Sequence, residues 1–221
     1  MAFRGSLADK GGRRAAWIDS FFVDHSVFRM VWDNLGEVVP DKLYRCNHPT
    51  PGRLKRLKEK LGLVTLINLR GHRKCGSDAL SREAAQHLGL IHIDMAFESR
   101  GAPHRDRIER FYDIYRNLKT PALMHCKSGA DRAGLASGLA VMFEGGSAEQ
   151  AMEQLSVRYG HFNRSATGIL DAFFRLYQQT AEGRMPFMEW VSTEYDEHAL
   201  RASFKSHKLS GFLNDYVLRR E

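Results

Sequence analysis

The sequence predicts an α/β domain: a central, mostly parallel sheet flanked by helices, with extra helices at both ends of the chain. Short apolar runs alternate along it with segments whose apolar residues recur at helical spacing. Strands that alternate with helices are joined by right-handed crossovers, and these produce a parallel sheet layered by helices. A chain of 221 residues is long enough for one well-buried domain with appendages.

Four apolar runs are predicted strands, at residues 43–46, 63–69, 90–93 and 122–125. Helical spacing predicts helices at residues 51–61, 77–88, 105–118, 133–143, 147–159 and 165–179. Gly62 and Gly89 are typical of the residue just after a helix, and Ser147 with Gln150 forms a capping box. Beyond Gly183 the aromatic residues are scattered, which predicts short helices.

These elements predict three parts: a helical extension over residues 1–36, a catalytic domain over residues 37–182 and a helical tail over residues 183–221. Within the extension, a basic start is followed by an aromatic-rich stretch, at residues 13–32. Such a stretch fits either a peripheral membrane contact or a helix docked on the domain. Asp19, Asp24 and Asp33 would repel anionic lipid, so we favour docking.

The chain carries a net charge of +7, with 43% hydrophobic and 27% charged residues, an ordinary balance for a globular protein. It has no Lys/Arg block, zinc-binding pattern or aromatic-basic RNA signature, so an anionic substrate or membrane surface is a better partner than nucleic acid. No apolar run approaches the ~20 residues that span a bilayer, and the N-terminus lacks a secretory signal. Three cysteines make no disulfide framework, so we expect a cytoplasmic protein, peripheral at the membrane if residues 13–32 bind lipid.

The most informative segment follows the fourth predicted strand and ends where a predicted helix begins. A cysteine before a helix N-terminus meets converging N–H groups and the positive end of the helix dipole, which bind a phosphate-sized anion and favour the thiolate. An arginine in the same loop can fork onto two oxygens of that anion. The segment therefore predicts a phosphoryl-transfer site. It reads His125-Cys126-Lys127-Ser128-Gly129-Ala130-Asp131-Arg132.

This His-Cys-x5-Arg pattern resembles the signature of the cysteine-dependent protein tyrosine and dual-specificity phosphatases. Asn68-Leu69-Arg70 is similar to the atypical members of plants, fungi and bacteria, and the resemblance extends over residues 42–145. It implies that Cys126 forms a cysteinyl-phosphate, that Arg132 holds the phosphate oxygens bidentately and that His125 orients the loop. Because the loop and Arg132 supply the electrostatics, it also implies that no metal or cofactor is needed.

Further residues are predicted to bind the substrate. Loop residues after Cys126 offer N–H groups to the phosphate. Residues 68–76 follow a strand of the same sheet, and ligands bind beyond the carboxyl ends of parallel strands, so we expect basic residues there, Lys74 among them, to border the pocket. A polar cluster at residues 158–164 either lines the pocket or caps helices. The predicted substrate-binding set is His125, Lys127, Ser128, Gly129, Ala130, Arg70 and Arg73.

Two positions depart from the family pattern. Ala133 stands where the family usually carries Ser or Thr, whose hydroxyl helps the thiolate leave, so we expect the intermediate to break down slowly. Ser99 stands where the general-acid Asp would align. Asp131 and Glu98 rank equally as replacements and Asp94 ranks third. Asp131 is close to the leaving group, but its neighbour Arg132 would keep it ionised.

The predicted function is hydrolysis of a phosphomonoester on a phosphotyrosine protein, phosphoinositide, inositol phosphate or other phospholipid. Because of Ala133 and because the general acid is not assigned, a second hypothesis remains: a pseudo-enzyme that binds phosphorylated partners without turnover. A rhodanese-like sulfurtransferase ranks last. Its cysteine loop is usually one residue shorter than the span from Cys126 to Arg132.

Overall fold

A computed structural model describes residues 7–23 and 32–205 of the chain. Its strands are β1 (Gly36–Val39), β2 (Leu43–Cys46), β3 (Thr65–Asn68), β4 (Ile91–Asp94) and β5 (Ala122–His125). They form one sheet in the order β1-β2-β5-β3-β4. Strands β2, β5, β3 and β4 run parallel to one another, and β1 pairs antiparallel with β2. The predicted fold class, a mostly parallel sheet flanked by helices, is confirmed.

Helices cover both faces of the sheet. They are α1 (Lys10–Ile18), α2 (Pro51–Leu61), α3 (Gly76–His87), α4 (Arg105–Arg116), α5 (Asp131–Phe143), α6 (Ala148–Glu153), α7 (Ile169–Thr180) and α8 (Phe187–Thr193), and residues 197–205 are helical too. Strand side chains alternate between the faces. Leu66 and Leu123 pack with α2 and α3, whereas Ile67 and Met124 belong to the larger core beneath α4, α5 and α7.

Local signals explain where several elements end. The capping box of Ser147 and Gln150 is present, and Gly62 ends α2 with a left-handed φ of 65°. The helix predicted over residues 147–159 begins as predicted but ends at Glu153, so its second half is wrong. After Glu153 the chain turns so that Leu155 enters the core beside Gly134, where an added Cβ would lie 2.6 Å from the leucine. Only a 3₁₀ turn follows, at Val157–Tyr159.

The N-terminal helix α1 docks on α3. Arg13 binds Glu83 at 2.7 Å, and Asp19 accepts a hydrogen bond from the N–H of Gly76 at 2.6 Å. A Cβ at Gly76 would lie 2.1 Å from the carbonyl oxygen of Ala16, so the two helices meet where only glycine fits. Residues 24–31 of the predicted membrane-contact stretch lie outside the described residues, and that contact stays a prediction.

Helix α8 shares the core of the preceding helices. Trp190 is buried and packs against Phe173 and Tyr177 of α7, with ring centroids 5.7 and 5.3 Å apart. The division of the chain at residues 36 and 182 stays a prediction. Within the residues that the structure describes, no helix is both long and apolar enough to cross a bilayer.

Candidate active site

Four parallel strands end in one row at the same edge of the sheet. Cys46 of β2 pairs with His125 of β5, His125 with Asn68 of β3, and Asn68 with Asp94 of β4. The loops that follow these strands therefore leave the sheet side by side. The N–H of Leu69 donates to the carbonyl of His125 at 2.8 Å, which ties two of these loops together where they start.

Arg45 anchors the loop of residues 126–132 from behind. It lies in β2, is completely buried, and donates from Nη2 to the carbonyl oxygens of Gly129 at 2.7 Å and Ala130 at 3.2 Å. Its Nη1 donates to the carbonyl of Gln154 at 2.7 Å, and its guanidinium lies 3.9 Å from the ring centroid of Tyr159. Burial lowers the pKa of Arg45 to about 10, so the side chain remains a cation at neutral pH.

Two more donors hold the remaining carbonyls of the loop. Asn34 donates from Nδ2 to the carbonyl of Ser128 at 2.9 Å, and the N–H of His48 donates to the carbonyl of Lys127 at 3.3 Å. In a trans peptide the C=O and the following N–H point in opposite directions. Carbonyls tied outward therefore favour N–H groups that face the side of Cys126. The N–H of Gly129 is directed at the sulfur, and the N–H of Ala130 donates to Oγ of Ser128 at 3.4 Å.

Gly129 makes this tight loop possible. Its φ is +78°, and an added Cβ would lie 2.8 Å from the backbone nitrogen of Asn47 and 2.9 Å from Cβ of Asn34. Both the left-handed backbone and the close approach of β2 therefore require glycine. Its N–H donates to Sγ of Cys126 at 3.2 Å, which stabilises a negative charge on the sulfur.

Positive charge converges on this loop. The pKa of Arg132 is lowered from its usual value, mainly by burial. Attraction to the Cys126 sulfur opposes this shift, and repulsion from Arg70 and Arg73 adds to it. Arg70 also approaches Nδ1 of His48 at 3.3 Å. In the part of the chain that the structure describes, no hydrogen bond or ion pair engages the guanidinium of Arg132. A partly buried cation in that position is suited to an anionic ligand.

The carboxylates of Asp94 and Glu98 are each held by an arginine. Arg82 donates from Nη2 to both oxygens of Asp94 at 2.7 Å. Glu98 lies in the loop after β4, and its Oε1 accepts a hydrogen bond from Arg107. The other oxygen of Glu98, Oε2, is buried and has no hydrogen-bond partner among the described residues.

Asp131 is paired with a buried histidine. Nδ1 of His161 lies 2.9 Å from Oδ1 of Asp131, and Nε2 lies 2.7 Å from Oδ2 of Asp171. Burial alone would lower the pKa of His161, but the hydrogen bonds and charges of the two carboxylates outweigh it and raise that pKa to about 9. At neutral pH the imidazole is therefore protonated and donates to both carboxylates.

A family model described as DSP-PTPase phosphatase fused to NAD+ kinase matches residues 32–168, which include this loop and the whole sheet. The chain belongs to this family of dual-specificity-type phosphatases. Membership confirms the resemblance of the His-Cys-x5-Arg segment. No curated protein matches the sequence of the chain.

Solved structures of phosphatases share the fold at low sequence identity. The structure of TpbA from P. aeruginosa aligns with a TM-score of 0.54 and 16% identity, over 77% of this chain and 90% of that one. The core catalytic domain of the PP-IP phosphatase Siw14 from S. cerevisiae aligns with a TM-score of 0.51 and 16% identity, over 80% and 94% of the two chains.

In this member of the dual-specificity-type phosphatase family, sequence reasoning missed the residues that support the loop. Arg45 was assigned only to a strand, although a charged residue inside an otherwise apolar strand indicates a buried, hydrogen-bonded cation. Asn34 lies in the predicted N-terminal extension, and Asp171 lies in the middle of the helix predicted over residues 165–179, at a position in the first turn of the observed α7. Of the polar cluster at residues 158–164, His161 contacts the loop through Asp131, whereas Asn163 and Arg164 are exposed.

His161 should make the stability of the protein depend on pH. A group whose pKa rises on folding stabilises fully below its unfolded pKa of about 6.5, and its contribution disappears as pH rises through about 9. We expect the unfolding free energy of wild type minus that of His161→Gln to fall by about 3 kcal/mol between these limits. Urea unfolding of both proteins at a series of pH values measures it, and a constant difference would contradict this assignment.

Proposed function

We propose that the protein is a cysteine-dependent phosphatase that hydrolyses phosphomonoesters through a cysteinyl-phosphate on Cys126. One observation carries the proposal: every carbonyl of residues 127–130 is tied away from Cys126, by Arg45, Asn34 and the N–H of His48. A loop anchored in this way presents its N–H groups to a tetrahedral anion without rearrangement when substrate binds.

The reaction has two displacement steps. The Cys126 thiolate attacks phosphorus, the bond from phosphorus to the leaving oxygen breaks, and a general acid protonates that oxygen. Water then attacks the cysteinyl-phosphate, the P–S bond breaks, and inorganic phosphate and the thiolate are released. In both steps charge spreads over the equatorial oxygens, where the loop N–H groups and Arg132 stabilise it. Lys127, Ser128, Gly129 and Ala130 contribute backbone groups, and His125 supports the loop from β5.

Glu98 is the general acid that the contacts favour. The carboxylate of Asp131 is occupied by a protonated His161, and both oxygens of Asp94 are occupied by Arg82. Glu98 alone among the three has a buried carboxylate oxygen without a partner in the described residues, so this oxygen is not already engaged by a donor or a cation. Its ion pair with Arg107 fixes the other oxygen and so orients the group.

The substrate is an anion, which several nearby cations attract. Arg70 and Arg73 lie close enough to Arg132 to repel it, and Arg73 is exposed. Hydrolysis of phosphotyrosine peptides, phosphoinositides and inositol phosphates by the purified protein identifies the class. The panel includes NADP+, since the family description names NAD+ kinase and NADP+ carries a phosphomonoester. Phosphate binding without hydrolysis of any member would identify a pseudo-enzyme instead.

The cell compartment follows from the thiol chemistry. Cys46, Cys75 and Cys126 are all free cysteines. A nucleophilic thiolate is protected from oxidation where thiols are kept reduced. We therefore place the protein in the cytoplasm as part of this proposal.

Replacing the nucleophile tests the mechanism. Cys126→Ser should lower kcat for an aryl phosphate by at least about 10⁴-fold, because a hydroxyl is a far weaker nucleophile at neutral pH. It should keep the melting temperature and still bind inorganic phosphate. Cys75→Ser, the matched change at a cysteine in the neighbouring loop, should keep full activity. Substantial turnover by Cys126→Ser would refute the covalent mechanism.

The leaving group separates the candidate acids. If Glu98 protonates the leaving oxygen, Glu98→Gln should slow an alkyl phosphate about 10²-fold or more and leave a nitrophenyl phosphate nearly unchanged, because nitrophenolate needs no proton. Asp131→Asn should show no such difference between the substrates. The reverse pattern would assign the acid to Asp131. If neither variant slowed the alkyl phosphate more than the nitrophenyl phosphate, Asp94 would become the candidate.

Ala133 should make breakdown of the intermediate slow. It is completely buried at the start of α5 and offers no hydroxyl to the departing sulfur. We expect rapid mixing with nitrophenyl phosphate to show a burst of nitrophenol equal to the enzyme concentration. Ala133→Ser should shrink the burst and raise steady-state turnover. A wild-type time course without a burst would mean that formation of the intermediate limits the rate.

A further inference from the structure

Three ionisable side chains, two of them buried, stand in a row beside the loop of residues 126–132. His161 is 1% exposed and Asp171 is 6% exposed, and the imidazole bridges Asp171 of α7 to Asp131, the first residue of α5. Burying a charged group is unfavourable unless it is paired. Both carboxylates of the row are paired through the one histidine.

The row includes the carboxylate that is next to Arg132 in the sequence. Asp131 directly precedes Arg132 in sequence and attracts its guanidinium. The two side chains nevertheless make no ion pair, since Oδ1 of Asp131 is bound to His161 and nothing in the described part of the chain binds the guanidinium. An Arg–carboxylate pair in this partly buried setting would be strong, and it would occupy the donors that the proposed mechanism assigns to the phosphate oxygens.

We propose that His161 is a positioning residue that holds the Asp131 carboxylate away from Arg132 and so keeps the Arg132 guanidinium available to the substrate phosphate. The proposal rests on the function proposed above. His161 supplies a positive charge to Asp131 in place of Arg132, and Asp171 fixes the imidazole from the other side. The row therefore acts on substrate binding through charge, beyond its contribution to packing.

Inorganic phosphate is the probe, and isothermal titration calorimetry measures its dissociation constant. His161→Gln keeps a hydrogen-bond donor but removes the charge, so Asp131 should turn to Arg132 and weaken phosphate binding about tenfold or more. Removing the competing carboxylate as well, in His161→Gln with Asp131→Asn, should restore phosphate binding to near the wild-type value. His87→Gln, the same change at an exposed histidine, should have no effect.

The double variant decides between the proposal and a structural role. If His161 only supports packing, the second substitution adds its own damage and phosphate binding stays weak, which would overturn the proposal. Unchanged binding in His161→Gln would also overturn it. Steady-state rates on nitrophenyl phosphate should follow the same order, with His161→Gln raising KM more than it lowers kcat.

Two further variants keep the test decisive. If His161→Gln does not fold, Asp131→Asn alone should bind phosphate at least as tightly as wild type, and weaker binding would contradict the proposal. Failure of the proposed function has a different signature. In that case wild type and Arg132→Ala would bind phosphate equally poorly, whereas failure of the present proposal leaves wild-type binding intact and dependent on Arg132.

Discussion

The site depends on one buried interaction, the contact between the Arg45 guanidinium and the carbonyls of Gly129 and Ala130. A loop that binds an anion through its N–H groups must direct its carbonyl oxygens elsewhere, and those oxygens need donors because they are removed from water. Arg45 provides them from the strand next to β5, and Asn34 provides one more. The arginine is fixed in turn by Gln154 and by the ring of Tyr159, so α6 and the turn after it contribute to the loop's shape. Under the proposed function, this anchoring holds the backbone donors in place so that they need no reorganisation when phosphate binds.

Charge compensation is the second constraint on the site. Arg70 and Arg73 each repel Arg132 beside the loop of residues 126–132. That repulsion disfavours the empty site and is relieved by a dianion, so it favours substrate binding. Three carboxylates of the neighbouring loops and of α5 are bound to other cations: Asp94 to Arg82, Glu98 to Arg107 and Asp131 to His161. Because these carboxylates are already paired, the cluster of Arg70, Arg73 and Arg132 stays positively charged although acidic residues are close to it in the sequence.

Much of this was readable from the sequence. Strand and helix periodicity located β2 to β5 and most helices, and His125 to Arg132 identified the loop and its family. The missed features share a physical cause. β1 is a four-residue, partly exposed strand with an irregular register, so it carries little hydrophobic pattern. The break after Glu153 depends on the fit of Leu155 against Gly134, a tertiary contact. Arg45, Asn34 and Asp171 act on the loop from distant parts of the chain, and no local spacing relates them to Cys126.

The central claim is that residues 126–132 form a preorganised cradle around a nucleophilic cysteine. A crystal structure of the protein with orthovanadate tests it most directly. We predict vanadium bonded to Sγ of Cys126, equatorial oxygens about 3 Å from the loop nitrogens and from the guanidinium of Arg132, and loop carbonyls still bound to Arg45 and Asn34. Vanadate bound away from Cys126, or a loop whose carbonyls turn towards the anion, would contradict the account.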